Sequence, residues 1–197
     1  MDFKNKVAVV TGGALGIGLA CCREFAQRNA SAAVVDLNEK AGRSVVKEVR
    51  QFGGKAEFFP FDVSKSASVA AGVAKIVRKL DGIDILINNA GIQRYGTATT
   101  ASEEDWDLVL TVNLKSAFLM SKYVIPAMIK RGGGAIVNMG SIQSGLPKAI
   151  PCITSSASTA SSDLHAAWRS ITRRRTFAPI AYYLEASIRR WSAGPPP

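Results

Sequence analysis

The run Val7-Ala8-Val9-Val10-Thr11 stops at Gly12-Gly13-Ala14-Leu15-Gly16-Ile17-Gly18, and few arrangements of residues restrict a fold so tightly. A short β-branched apolar run that breaks into glycines and then into a helical pattern reads as a buried strand, a tight turn and a helix N-terminus. Glycines let the backbone turn sharply and approach a pyrophosphate more closely than any Cβ permits. The helix starting near Gly16 aims unpaired N–H groups and its positive dipole end at the phosphates. A glycine-rich turn alone could be an ordinary strand-to-helix connection. Here it has the context a dinucleotide site requires: a strand before, an amphipathic helix after, and an acidic residue about 20 positions on.

That acidic residue is Asp36, which ends the second apolar run, Ala32-Ala33-Val34-Val35. A carboxylate at the tip of the second strand accepts both ribose hydroxyls of an adenosine and repels a 2′-phosphate, so the expected cofactor is NAD rather than NADP. Asp36 could also cap the helix from Glu39 to Gln51, but Asn38 could do so equally well.

After that helix the chain gives Gly53-Gly54, a strand over Ala56 to Phe61, then Asp62-Val63-Ser64, a helix near Ser66 to Leu80, and a strand over Ile83 to Asn88. Helices near Ser102 to Asn113 and Lys115 to Arg131 follow, then Gly132-Gly133-Gly134 and a fifth strand, Ala135 to Met139. Apolar strands alternating with helices imply right-handed crossovers and a parallel sheet covered on both faces, an α/β doubly wound domain of the Rossmann type. Ligands of such sheets bind at the carboxyl ends of the strands, which points to Asp36, Asp62, Asn88, Asn89 and Ser141.

At 197 residues the chain suits one well-buried domain. The net charge of +10 could suit nucleic acid, but over residues 1–150 the basic residues alternate with acidic ones, as on solvated helix faces, and aromatics do not interleave with them. The expectation is therefore no nucleic acid. With no 18-residue apolar run and no secretory signal before the first strand, no membrane association is expected and the cytoplasm is the default. Three cysteines, two of them adjacent at Cys21 and Cys22, suit neither a disulfide framework nor a metal site and read as small core residues.

Four separated motifs now agree in order and spacing: Thr11 to Gly18, Asp62-Val63, Asn88-Asn89-Ala90-Gly91, and Asn138-Met139-Gly140-Ser141. Over residues 3 to about 146 the chain resembles the short-chain dehydrogenase/reductase family. The resemblance implies hydride transfer between a nicotinamide ring and a secondary alcohol or ketone, a small-molecule substrate, and a homo-oligomer in the intact family. It implies cofactor contacts at Gly12, Leu15, Gly16, Ile17, Gly18, Asp36, Leu37, Asp62, Val63, Asn89, Ala90 and Gly91. It also implies that Ser141 holds the substrate oxygen and that Asn113 supports a proton-relay water. The general acid/base would be a tyrosine in Y-x-x-x-K, its phenol made a usable base near neutral pH by the lysine's charge. For Ser141 a local backbone contact, and for Asn113 a helix kink, would be the plain structural alternatives.

The tyrosine is due 13 positions after Ser141, where the chain has Thr154, and the lysine is due at Ser158. Both are missing. From about residue 148 the composition changes, with no lysine after Pro151, a run Arg173-Arg174-Arg175 and a terminal Pro195-Pro196-Pro197. The division expected is 1–147 for the nucleotide-binding domain, its sheet ending at the fifth strand, and 148–197 for an irregular basic tail. The genetic code suggests a cause. Translated one base out of register, Thr154 permits tyrosine, Ala157 serine, Ser158 lysine, Thr159 histidine and Ala160 glycine, giving Y-x-x-S-K-H-G at the required spacing. Further on, His165 to Trp168 permits T-R-S-M, Ile171 to Arg174 permits D-Y-A-P, and Tyr183 to Arg189 permits L-P-G-G-V-D-T. An ordered series of this length points to a frameshift between about Gly145 and Cys152. Two functions stand open: an NAD-dependent alcohol dehydrogenase or ketone reductase by descent, its catalysis impaired, and a non-catalytic nucleotide-binding or regulatory protein.

Overall fold

A computed structural model describes residues 2–97 and 99–140, together with the backbone of 177–182. Strands and helices alternate as β1 (Val7–Thr11), α1 (Gly16–Gln27), β2 (Ser31–Asp36), α2 (Glu39–Gln51), β3 (Lys55–Pro60), α3 (Ser66–Leu80), β4 (Ile85–Asn88), α4 (Glu103–Leu110), α5 (Ser116–Lys130) and β5 (Gly134–Met139). The strands pair in parallel in the order β3-β2-β1-β4-β5. The order reverses at β1, so the crevice of the sheet opens between the carboxyl ends of β1 and β4.

The period-two alternation of strand side chains divides the core into two layers. Val9, Ala33, Val35 and Leu86 face α3 and α5, packing on Val69, Val73, Ile76, Leu119, Met120, Val124 and Met128. Ala8, Val10, Ala32, Val34 and Ile87 face α1 and α2, packing on Cys22, Ala26, Val45, Val46 and Val49. Each fully buried Val, Ile, Leu or Met side chain contributes about 1.5–3 kcal/mol relative to an exposed one, so this two-sided core holds the strand ends in place.

Several expectations change in detail. Ile83 and Asp84 precede β4 instead of belonging to it, because Asp84 is spent elsewhere. Its carboxylate accepts from Val7 N–H (2.9 Å), Lys6 Nζ (3.1 Å) and Arg131 Nε (3.3 Å), which ties the starts of β1 and β4 to the end of α5. The two expected helices over 102–131 form one continuous rod, α4 passing into α5 through a wider π-helical turn at Thr111–Lys115. Lys115 and Lys122 interrupt its apolar residues, although the rod Glu103–Lys130 is by length and mean hydropathy apolar enough to cross a membrane. Its apolar residues Leu119, Met120, Val124 and Met128 are spent on the sheet.

One element corrects the expectation that the sheet ends at its fifth strand. The backbone of Phe177–Tyr182 forms a sixth strand, β6, parallel to β5 with Gly134 opposite Phe177 and Met139 opposite Tyr182. Its six residues, FAPIAY, are mostly apolar with aromatics at both ends, a composition that favours strand. The proline is compatible with an edge position, where one side of the strand needs no ladder donor. The other residues of the expected tail lie outside the described residues.

Candidate nucleotide-binding site

The glycine turn between β1 and α1 is held from two sides. Toward β2, Gly13 N–H donates to Val35 O and Ala14 N–H to Asp36 Oδ2, each at 3.1 Å. Toward β4, Thr11 Oγ1 donates to Ile87 O and accepts from the N–H groups of Asn89 (2.9 Å) and Ala90 (3.0 Å). Asn89 Nδ2 returns to Thr11 O (3.0 Å) and Gly12 O (3.2 Å). Thr11 is 2% exposed, and its hydroxyl is the hub that joins the two strand tips.

Two glycines show that this is a cradle. Gly16 has φ +54°, and a Cβ built on it would meet nothing within 4 Å, so space is open directly over the turn. Gly18 is closed in: a Cβ there would collide with the Gly12 carbonyl oxygen and stand 2.7 Å from Asn89 Nδ2. At the start of α1, Leu15 supplies no side-chain cap and the first turn carries no acidic residue. The leading N–H groups and positive dipole end of α1 thus face the opening with no acidic residue of the helix itself beside them, a suitable arrangement for phosphate. Leu15, Ile17 and Leu37 stand exposed around it, while Ala14 is buried. Beneath the turn, burial pushes the Cys22 thiol up to about 12, which leaves it an inert core residue.

At the tip of β2 the Asp36 carboxylate also accepts from Asn38 N–H (2.9 Å). The helix cap belongs to Asn38, whose Oδ1 accepts from Ala41 N–H at 3.0 Å. Asp36 is thereby free of that task, and each of its oxygens keeps a further lone pair for a hydroxyl donor. Beyond β3, Asp62 Oδ1 accepts from Ser64 Oγ (2.6 Å) and Ser64 N–H (2.9 Å), and Lys65 Nζ lies 3.4 Å from Oδ2. The Ser64 hydroxyl first, with its N–H and the Lys65 charge, outweighs desolvation and holds the Asp62 carboxyl below its ordinary value. Val63 packs against the core.

At the ends of β4 and β5, Asn88 Nδ2 donates to Asn138 Oδ1 at 2.8 Å. Beside them Asn113 sits in the π-helical turn and clasps Ile92 with both ends of its carboxamide, accepting from Ile92 N–H and donating to Ile92 O at 2.8 Å each. This fixes the chain just after Asn89-Ala90-Gly91. The kink anticipated at Asn113 and a site role are therefore compatible, since the side chain's partner is backbone at the mouth of the crevice. Ser141, Thr154 and Ser158 lie outside the described residues. Among those described, no three His, Cys, Asp or Glu side chains converge as metal ligands.

The glycine turn, Asp36, Asp62 and Asn89 thus lie at or just beyond the carboxyl ends of β1, β2, β3 and β4, and Asn113 is tied to the segment after β4. Thr11 opens the first motif, but its role as the hub is visible only in the structure. Its signal was a hydroxyl residue closing an otherwise apolar strand immediately before the glycines.

The model of the short chain dehydrogenase family matches residues 6–173, extending beyond the boundary near 146 expected from motifs. An uncharacterized oxidoreductase of Thermotoga maritima is 43% identical over 141 residues, covering 72% of this chain and 55% of that protein. A cyclopentanol dehydrogenase of Comamonas testosteroni is 40% identical over 138 residues, covering 70% of this chain and 55% of that protein. The chain therefore spans little more than half the length of these curated relatives. Among solved structures, a gluconate 5-dehydrogenase from Burkholderia cenocepacia in complex with NADP and tartrate superposes with a TM-score of 0.86 at 30% identity, covering 92% of this chain and 72% of that one.

Proposed function

Since the chain belongs to the short-chain dehydrogenase family, we propose that residues 1–147 form an NAD site whose ancestral chemistry is hydride transfer between a secondary alcohol or ketone and the nicotinamide. The observation that carries the reading is the Asp36 carboxylate, at the tip of β2 and bonded to the glycine turn. No arginine stands beside it to meet a 2′-phosphate; the residues that follow are Leu37-Asn38-Glu39-Lys40. The NADP held by the gluconate 5-dehydrogenase belongs to that protein, and here the charge of Asp36 disfavours it.

In this reading the leading N–H groups of α1 receive the pyrophosphate over Gly16, Asp36 accepts the adenosine ribose hydroxyls, and Asp62 with Val63 borders the adenine. Asn89, Ala90 and Gly91 line the crevice, and Asn113 keeps that segment in place through Ile92. The bound nicotinamide supplies the hydride acceptor or donor. Ser141 orients the substrate oxygen, but a proton must still leave or reach that oxygen, and Thr154 and Ser158 stand where a tyrosine and a lysine are needed. Loss of a general acid/base commonly costs about 10²- to 10⁴-fold in rate.

Those two positions also favour a second reading, a nucleotide-binding pseudoenzyme or regulatory protein. The frameshift account separates them. Restoring the frame by a single-base change near Pro147 and testing both proteins with NAD on a panel of secondary alcohols should give turnover only from the restored protein. Comparable turnover from the chain as it stands, or a transcript whose alternative frame lacks Y-x-x-S-K, would sink the account.

A further inference from the structure

We propose that Asp36 is also a positioning residue: its carboxylate latches the glycine turn into its phosphate-accepting shape before a nucleotide arrives. Ala14 is 2% exposed, so its N–H cannot fall back on bulk water, and its partner is Asp36 Oδ2 at 3.1 Å. The preceding N–H, on Gly13, is bonded to the backbone oxygen of Val35 and does not depend on any side chain. Turn and strand are thus joined by two adjacent bonds, of which one is fixed by the fold and the other by a single carboxylate. The second oxygen of that carboxylate accepts from Asn38 N–H, just ahead of α2, so one side chain spans the turn and the start of the next helix. No other side chain among the described residues is bonded to the turn from the β2 side.

Two consequences follow. A cofactor whose 2′-phosphate pushes Asp36 aside meets like charge and also unlatches the turn that should hold its pyrophosphate. Conversely, replacing Asp36 to admit NADP loosens the phosphate cradle, so the gain for NADP falls short of the loss for NAD. Asparagine at this position keeps one carbonyl oxygen, which can serve Ala14 or Asn38 but not both, while alanine serves neither.

The second consequence rests on Asp36 being the ribose acceptor, and the latch itself does not. Amide hydrogen exchange of the full chain without nucleotide tests the latch directly, comparing the wild type with Asp36→Asn and Asp36→Ala. The Ala14 amide should exchange roughly tenfold to a hundredfold faster in Asp36→Ala, as expected when a buried donor loses a charged acceptor, and by an intermediate factor in Asp36→Asn. The Gly13 amide should keep its wild-type rate. If Asp36→Ala does not fold, Asp36→Val, which also offers no acceptor and suits a strand end, carries the comparison. An unchanged Ala14 rate, or equal acceleration of Gly13 and Ala14, overturns the latch. Titration of the same proteins with NAD and NADP reads the cofactor preference separately, so a wild type that favours NADP would refute that preference and leave the exchange result standing.

Discussion

Adding one methyl group to Gly18 should damage the site more than its size suggests. The Cβ of Gly18→Ala would collide with the Gly12 carbonyl oxygen, and the Gly12 carbonyl carbon would stand 2.8 Å away. Optimal carbon–carbon contact is about 3.5–4.0 Å, so α1 must retreat from β1 by about 1 Å. That movement strains the bonds from Asn89 Nδ2 to Thr11 O and Gly12 O. Overpacking of this kind costs about 1–3 kcal/mol, and one or two weakened hydrogen bonds add about 1 kcal/mol each. The better helix propensity of alanine returns about 1 kcal/mol, leaving a net loss of roughly 1–4 kcal/mol. For a chain of this length that lowers the melting temperature by roughly 2–16 °C. The assay is thermal unfolding followed by circular dichroism, paired with calorimetric titration of NAD. Wild-type melting and wild-type affinity in Gly18→Ala would show that the turn tolerates the methyl and that α1 is not closed against β1 at this point.

Gly16→Ala and Gly53→Ala form a matched pair, since both positions have positive φ (+54° and +81°) and open space around the built Cβ. Each should cost about 1–3 kcal/mol of backbone strain, but only Gly16→Ala should weaken NAD binding; equal loss in both would remove Gly16 from the site. Burial would raise the Asp84 carboxyl, but Val7 N–H, Arg131 and Lys6 outweigh it and hold it below its ordinary value. A carboxyl lowered by folding contributes stability that is present above the unfolded value of about 4 and is lost as pH falls through the folded one. Asp84→Asn should therefore destabilise the chain by about 1.5–3 kcal/mol near neutral pH, the worth of a hydrogen bond to a charged group, and flatten that acid limb, as urea titrations between neutral and acid pH would show; an unchanged limb would count against the clasp.

How far the sequence could be read depended on how local each cause is. β1 and β2 were legible because β-branched runs end in glycine or aspartate, and the parallel sheet followed from regular alternation with amphipathic helices. Asp36 was legible as a strand-tip carboxylate, but its bond to Ala14 joins residues 22 apart and depends on β1 and β2 being paired. The same holds for Thr11, whose partners Asn89 and Ala90 lie 78 and 79 residues away. The π-helical turn at Asn113 has no periodic signature, and the partner of the Asn113 side chain, the Ile92 backbone, lies 21 residues away. Asp84 was assigned to a strand from the apolar residues around it, although its carboxylate acts beyond the strand's end. β6 was overlooked because a basic, proline-containing stretch argued against strand, whereas an edge position accepts that composition.

The preference for NAD proposed for this site is read by titrating NADH and NADPH in parallel into the purified chain and following nicotinamide fluorescence. Saturable binding of NADH to one site per chain, with NADPH binding at least roughly tenfold more weakly, a difference of about 1.4 kcal/mol, is the result predicted. No binding of either nucleotide, or tighter binding of NADPH, would contradict it.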